Sequence, residues 1–276
     1  MTAPSAPPPP PAAPALAPRS VPQLFDAIFG VARRHPWDLF ALSFLAHLPV
    51  HVFRIAGALA GPSSAVAEWD PQLHVGSAWW VLWNTLAVGS CAVATTQLYL
   101  EEGTDVGRAL EGLRRGGWRL VATIVVYGLL LNLADVFASV FSSAEPLDIP
   151  AREFEFGIFG LISFIALVYA AVAIPASSVE RLGPVAALRR SVQLVRRNSW
   201  RTAGVVWILW LATFYADDWL RLLAERMSHS IAVPAVTDWA VDGALYPFRG
   251  IAMAILYFDC RVRNEGYDVE RLLDTA

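Results

Sequence analysis

The chain has 276 residues, of which 56% are hydrophobic and 16% charged, with a mean hydropathy of +0.47 and a formal net charge of −3. A soluble domain carries about 25% charged residues, so too little polar surface is present to coat a globule of this size, and the membrane class comes first. All 21 basic residues are arginine; the missing lysine excludes a phosphate loop with its lysine and any Schiff-base mechanism.

Residues 1–20 are proline and alanine with one charge, Arg19. Such a segment cannot bury a core and reads as a disordered cytoplasmic tail. It lacks the basic start and long apolar heart of a signal peptide. Everything after it, residues 21–276, reads as one transmembrane domain.

Residues 21–35 place Val21, Leu24, Phe25, Ile28, Phe29 and Ala32 on one helical face. The other face is polar, so the segment is expected to lie in the membrane interface. It ends in Arg33-Arg34-His35-Pro36-Trp37. The same corner recurs as Arg114-Arg115-Gly116-Gly117-Trp118 and as Arg196-Arg197-Asn198-Ser199-Trp200, with the tryptophans 81 and 82 residues apart. A period of this kind splits the chain into repeats, at about 21–100, 101–180 and 181–260. Arginines hold a helix end near anionic headgroups, and tryptophan sits at headgroup depth. These nine residues are the predicted interfacial anchors.

Six apolar runs follow the corners: 38–60, 76–99, 119–141, 156–178, 200–222 and 239–259. About 20 residues cross the hydrocarbon core as a helix, and in lipid the backbone must satisfy itself. The predicted fold is therefore all-α: six transmembrane helices in three repeats, each an interfacial amphipathic helix plus a transmembrane hairpin. Asp217 and Asp218 interrupt the fifth run, while Asp242, Pro247 and Arg249 weaken the sixth. Arg54, Arg152, Arg221 and Arg226 fall on one side of these runs, Arg249 lies inside the last, and the other sixteen arginines fall on the opposite side. The richer side is cytoplasmic by the positive-inside rule, so both termini face in and the chain is a multi-pass cell-membrane protein. Trp69, Trp79, Trp80, Trp83, Trp219 and Trp239 cluster at the outer ends as an aromatic belt would.

Glu102-Gly103-Thr104-Asp105-Val106 is echoed by Glu265-Gly266-Tyr267-Asp268-Val269, which opens a short C-terminal amphipathic segment at 264–273. Glycine permits the sharp turn out of one helix, and aspartate can cap the next. The run Leu256-Tyr257-Phe258-Asp259-Cys260-Arg261-Val262-Arg263-Asn264-Glu265-Gly266-Tyr267-Asp268, with the Arg-Arg-Asn-Ser-Trp corner, resembles a bacterial six-helix integral membrane family. That family is similar to the membrane domain preceding the catalytic domain in some glycerophosphoryl diester phosphodiesterases, and to the YciC-like membrane proteins. The resemblance spans roughly 22–273 and implies an integral membrane domain without an assigned reaction. A phosphodiesterase catalytic domain would follow Ala276, so that activity is not expected here. The resemblance also implies an uncharged residue where Arg249 stands.

Candidate chemistry is sparse. Arg54, Asp135 and Asp217 each lie seventeen residues past a corner tryptophan. They are either three wet helix ends or one ion cluster at the outer boundary. His47 and His51 share a helix face with Arg54; they are either a buried hydrogen-bonded pair or half of a metal site. Arg249 falls near mid-bilayer, where a charge costs about 2.5–3.5 kcal/mol on insertion scales. It is expected to face the bundle interior toward a carboxylate such as Asp135, Asp217 or Asp242, or toward an anionic headgroup. Asn84, Gln97 and Asn132 read as interhelical glue. Cys91 and Cys260 fall at different depths and predict no disulfide, and no Cys/His spacing predicts zinc. No catalytic motif, cofactor motif or basic nucleic-acid face is found. The sequence thus predicts a non-enzymatic membrane protein that scaffolds or assists through its cytoplasmic interfacial helices. Its expected partners are the bilayer, anionic headgroups and a membrane or cytoplasmic protein. The alternative is a transporter or lipid-handling protein with an anion site around Arg249.

Overall fold

A computed structural model describes residues 18–60, 77–100, 111, 114–130, 161–227 and 232–267. Every element among the described residues is helical. In chain order these are α1 (Val21–Arg34), α2 (Pro36–Ala60), α3 (Ser77–Leu100), α4 (114–130), α5 (Leu161–Glu180), α6 (Pro184–Val195), α7 (Ser199–Met227) and α8 (Ala232–Glu265). By length and composition α5 can cross a membrane, with a mean hydropathy of 2.0. The interfacial segment expected before the second corner, apart from residue 111, and residues 268–273 of the C-terminal segment lie outside the described residues.

Local chemistry sets the boundaries. Ser20 caps α1 in a reciprocal box: its backbone N–H donates to Gln23 Oε1 at 2.7 Å, and its Oγ accepts from the Gln23 N–H. This satisfies two donors that a helix start leaves orphaned. Proline disfavours helical geometry in the residue before it, so α1 ends at His35 (φ −128°). Pro36 then opens α2, where its missing N–H costs nothing. At the second corner Gly117 takes φ 57°, a left-handed value open to glycine. The third corner is a turn over 196–198.

The last helix is the axis of the assembly. Every residue from Ile251 to Cys260 is buried, and α8 packs on α1, α2, α3, α5, α6 and α7. A helix that is apolar all round belongs in a core or a membrane. Its run was read as the weakest of six, yet it forms the longest helix, 34 residues, straight through Pro247 and Arg249. Close packing explains part of this. A β-carbon on Gly250 would lie 2.5 Å from the Val88 carbonyl oxygen and 2.6 Å from Cys91 Cβ, so α8 and α3 touch backbone to backbone. Between α3 and α4, Gly89 makes room for the Ile124 side chain and Gly128 for the Thr85 side chain. Small residues at crossings are how helices associate where lipid removes the hydrophobic drive.

The α5 helix breaks for two residues at 171–172. The Val172 N–H that the break frees donates to Ser191 Oγ at 3.2 Å, and that hydroxyl donates to the Tyr169 carbonyl at 2.7 Å. One side chain of α6 therefore repairs both sides of the gap.

The apolar face of α1 packs on the bundle. Leu24, Ile28 and Ala32 are buried in the main core, with Val21 and Phe25 against it and Phe29 exposed. In α6 the predicted stripe divides: Val195 is buried, while Val185 and Val192 are exposed. Both helices pack on α8, burying Leu24 and Ile28 of α1 and Leu194 and Val195 of α6 in one core with it.

Candidate functional site

Two groups of polar side chains organise the bundle. The first is a buried seam between antiparallel stripes on α2 and α8. Ser43, His47 and His51 recur every four residues on α2, as do Asp238, Asp242 and Tyr246 on α8, with Arg249 one turn further. His51 Nε2 lies 3.1 Å from Asp242 Oδ2, with side chains 0% and 4% exposed. His47 Nδ1 lies 2.9 Å from the Ser43 carbonyl, which can only accept, so Nδ1 carries a proton. Its Nε2 lies 2.9 Å from the Asn84 side-chain amide of α3. The His47 ring stands edge-on to Tyr246, with centroids 4.9 Å apart. The Arg249 guanidinium lies 4.7 Å over that same tyrosine ring, and its Nε donates to Thr213 Oγ1 at 3.1 Å. The seam therefore ties α3, α2, α8 and α7 together.

Arg249 does not meet Asp242. The two stand seven residues apart on one helix, about 10 Å along its axis, and His51 occupies the carboxylate. The described partners of Arg249 are a hydroxyl and an aromatic face. Asp135 lies outside the described residues, as do the side chains of Arg54 and Asp217, so their common level is not described. The ring nitrogens of His47 face Ser43 and Asn84, and Nε2 of His51 faces Asp242. This is the hydrogen-bonded arrangement, and the described residues hold no group of three metal-ligating side chains. Tyr246 and Thr213 were missed at the sequence level. The four-residue spacing of Asp242, Tyr246 and Gly250 was the available signal.

The second group lies at the end of the bundle that carries the first and third corners. Asp259 is buried at 2% exposure. Its Oδ1 accepts the Arg19 backbone N–H at 2.8 Å, and its Oδ2 lies 3.0 Å from Arg263 Nε and 3.5 Å from Arg201. The same two arginines donate to the Arg19 carbonyl, Arg263 at 2.7 Å. Residues 18–20, read as the end of a loose tail, are thus pinned across α7 and α8. Asp259→Ala removes an acceptor of charge-assisted bonds, each worth about 1.5–3 kcal/mol. Amide exchange at Arg19 and Ser20 should accelerate at least tenfold; unchanged protection would show that Asp259 does not hold the segment.

Beside this knot, Arg190 of α6 bridges Glu180 of α5 (2.9 Å) and Glu265 of α8 (2.6 Å). Arg261 also reaches Glu265 at 3.0 Å, and Tyr257 donates to Glu180 at 2.9 Å. Burial disfavours the Glu265 charge, but hydrogen bonds from Arg190 and Arg261 outweigh it and hold its pKa below the ordinary value. Burial likewise works against Arg190, and its two carboxylate partners reverse the effect and raise its pKa. The folded-state pKa of Glu265 lies below the unfolded one. Its contribution is therefore complete above the unfolded value and is lost as pH falls through the folded value. Acid should loosen α6 from α8, and Glu265→Gln should abolish that component of the pH dependence measured by denaturant titration.

The predicted anchors sit at the corners. Arg33 and Arg34 end α1, Arg114 and Arg115 lie in α4, and Arg196 and Arg197 join α6 to α7; all six are exposed. The corner tryptophans are exposed too: Trp37 85%, Trp118 73% and Trp200 85%. Fold and polar groups together define a class: an all-α bundle whose apolar core holds a polar seam, with one helix among the described residues long and apolar enough to cross a membrane. No family model, curated protein or solved structure matches the chain.

Proposed function

We propose that the chain is a multi-pass integral membrane protein of six spans, with both termini cytoplasmic and no catalytic centre of its own. It serves as a scaffold or accessory domain through the interfacial helices and corners on its cytoplasmic face. The observation that carries this reading is a polar seam buried in the apolar core while large apolar side chains face outward. His47, His51, Asn84, Asp238 and Asp242 are buried, while Leu45, Val52 and Phe53 on α2, Leu161, Ile162 and Ile165 on α5, and Trp207, Ile208 and Leu223 on α7 face outward. Water rewards the opposite arrangement; a bilayer rewards this one. Length supports it: α2, α3, α7 and α8 have 25, 24, 29 and 34 residues, against about 20 needed to cross. The three exposed tryptophans beside arginine pairs suit the headgroup layer. Kinship with the six-helix family similar to the phosphodiesterase membrane domain belongs to the same proposal.

Reporter fusions test it. Fusions at either terminus should report the cytoplasm, those within 61–75 and 142–155 the outside, and extraction should require detergent. Termini on opposite faces, or a chain soluble in buffer, would end this reading. A second reading, transport or lipid handling at Arg249, rests on that guanidinium meeting a hydroxyl and a ring rather than a carboxylate among the described residues. Anion uptake into proteoliposomes that Arg249→Gln abolishes would favour it.

A further inference from the structure

We infer that the groove between the ends of α6 and α8, beside the third corner, is a binding site for the phosphate of an anionic phospholipid headgroup. This rests on the membrane reading above and makes one corner different from the others. The groove has a volume of about 350 Å³ and is lined by Arg190, Gln193, Arg196, Arg197, Asn264 and Glu265, with Val192 beside them. Its charges are not equivalent. Arg190 is held between Glu180 and Glu265, and Glu265 is in turn held by Arg190 and Arg261. Asn264 is committed as well: its Nδ2 donates to the Leu194 carbonyl at 2.7 Å, and its Oδ1 accepts from Asn198 at 3.1 Å. These contacts make a stiff wall.

Arg196 and Arg197 make no ion pair and no side-chain hydrogen bond among the described residues, and both are exposed. They leave two guanidinium forks facing a groove whose own carboxylate is already neutralised. Planar forks of this kind match phosphate oxygens in pairs. At the first corner Arg33 spends its Nε on the Phe29 carbonyl at 3.3 Å, and at the second Arg115 pairs with Glu111 at 3.1 Å. Only the third corner, among the described residues, combines two uncommitted arginines with a groove. Trp200, next to the pair and exposed, sets the depth at the headgroups, and the exposed Val192 offers apolar contact to the glycerol end of a lipid.

The test uses the full chain purified in detergent micelles, with phosphatidylglycerol and phosphatidylcholine as probes and native mass spectrometry to count retained lipid. The unmodified chain should retain phosphatidylglycerol over phosphatidylcholine. Arg196→Gln/Arg197→Gln should weaken that binding about tenfold per arginine, while Arg189→Gln, at an exposed arginine of α6 outside the groove, leaves it within twofold. Cations at the end of α6 also suit its dipole, but that role alone would change stability and not the lipid count. Equal losses in both variants, or none in either, would overturn the site. Displacement of the lipid by inorganic phosphate at equal concentration would overturn the lipid assignment in favour of a free-phosphate site. A chain needing no detergent would instead overturn the membrane reading itself.

Discussion

His51→Leu should destabilise the bundle by about 3–5 kcal/mol, the cost of breaking a buried pair by removing one partner. Asp242 then keeps its place at the α2–α8 contact, 4% exposed, without the imidazole 3.1 Å away. Arg249 does not take its place: it is two turns along the same helix, committed to Thr213 and Tyr246. The double variant His51→Leu/Asp242→Leu should recover most of the loss, because an apolar pair of similar volume removes the desolvation cost along with the attraction. The measurement is a double-mutant cycle from denaturant titrations in detergent. Additive losses, or a single-variant loss under about 1 kcal/mol, would mean that the pair does not hold the helices.

Gly250→Val should cost about 3 kcal/mol. The new β-carbon would fall 2.5 Å from the Val88 carbonyl oxygen, 2.6 Å from Cys91 Cβ and 2.8 Å from the Ala92 nitrogen. Two of these are backbone atoms in the middle of α3, so no rotamer change can make room and the helices must separate. Gly204→Ala is the matched control. It also lies in a long helix, α7, but nothing stands within 4 Å of its added carbon. It should be stabilising by up to about 1 kcal/mol through helix propensity alone. Thermal unfolding midpoints of the two variants, moving in opposite directions, would place the closest contact at α3–α8. Parallel shifts would argue that α3 and α8 tolerate separation.

The helices and the ends of several of them were readable from composition and punctuation. Ser20 followed by Gln23, Pro36 after His35, and the Arg-Arg-x-x-Trp corners mark boundaries through capping and backbone sterics, which act within a few residues. The four-residue spacing of His47 and His51 put both on one face without any tertiary knowledge. The described helices agree with an all-α chain, while membership in three repeats and the number of spans stay with the proposal and its fusion test.

Partnerships were another matter. Asp242 could equally have met Arg249, and Asp259 gave no sign of capturing the backbone of Arg19, 240 residues away. Apolar periodicity says which face is buried, not which helix buries it; α1 was read as an interfacial helix, and its apolar face packs on α8. The run around Arg249 was read as weakened by Asp242, Pro247 and Arg249, though it became the central helix. A window average counts the charge of Arg249 and cannot see the ring of Tyr246 and the hydroxyl of Thr213 that receive it. Local propensity and polarity are properties of neighbours along the chain, so a single sequence carries them. The choice among several polar partners depends on helix crossing and depth, and those distances exist only once the bundle has packed.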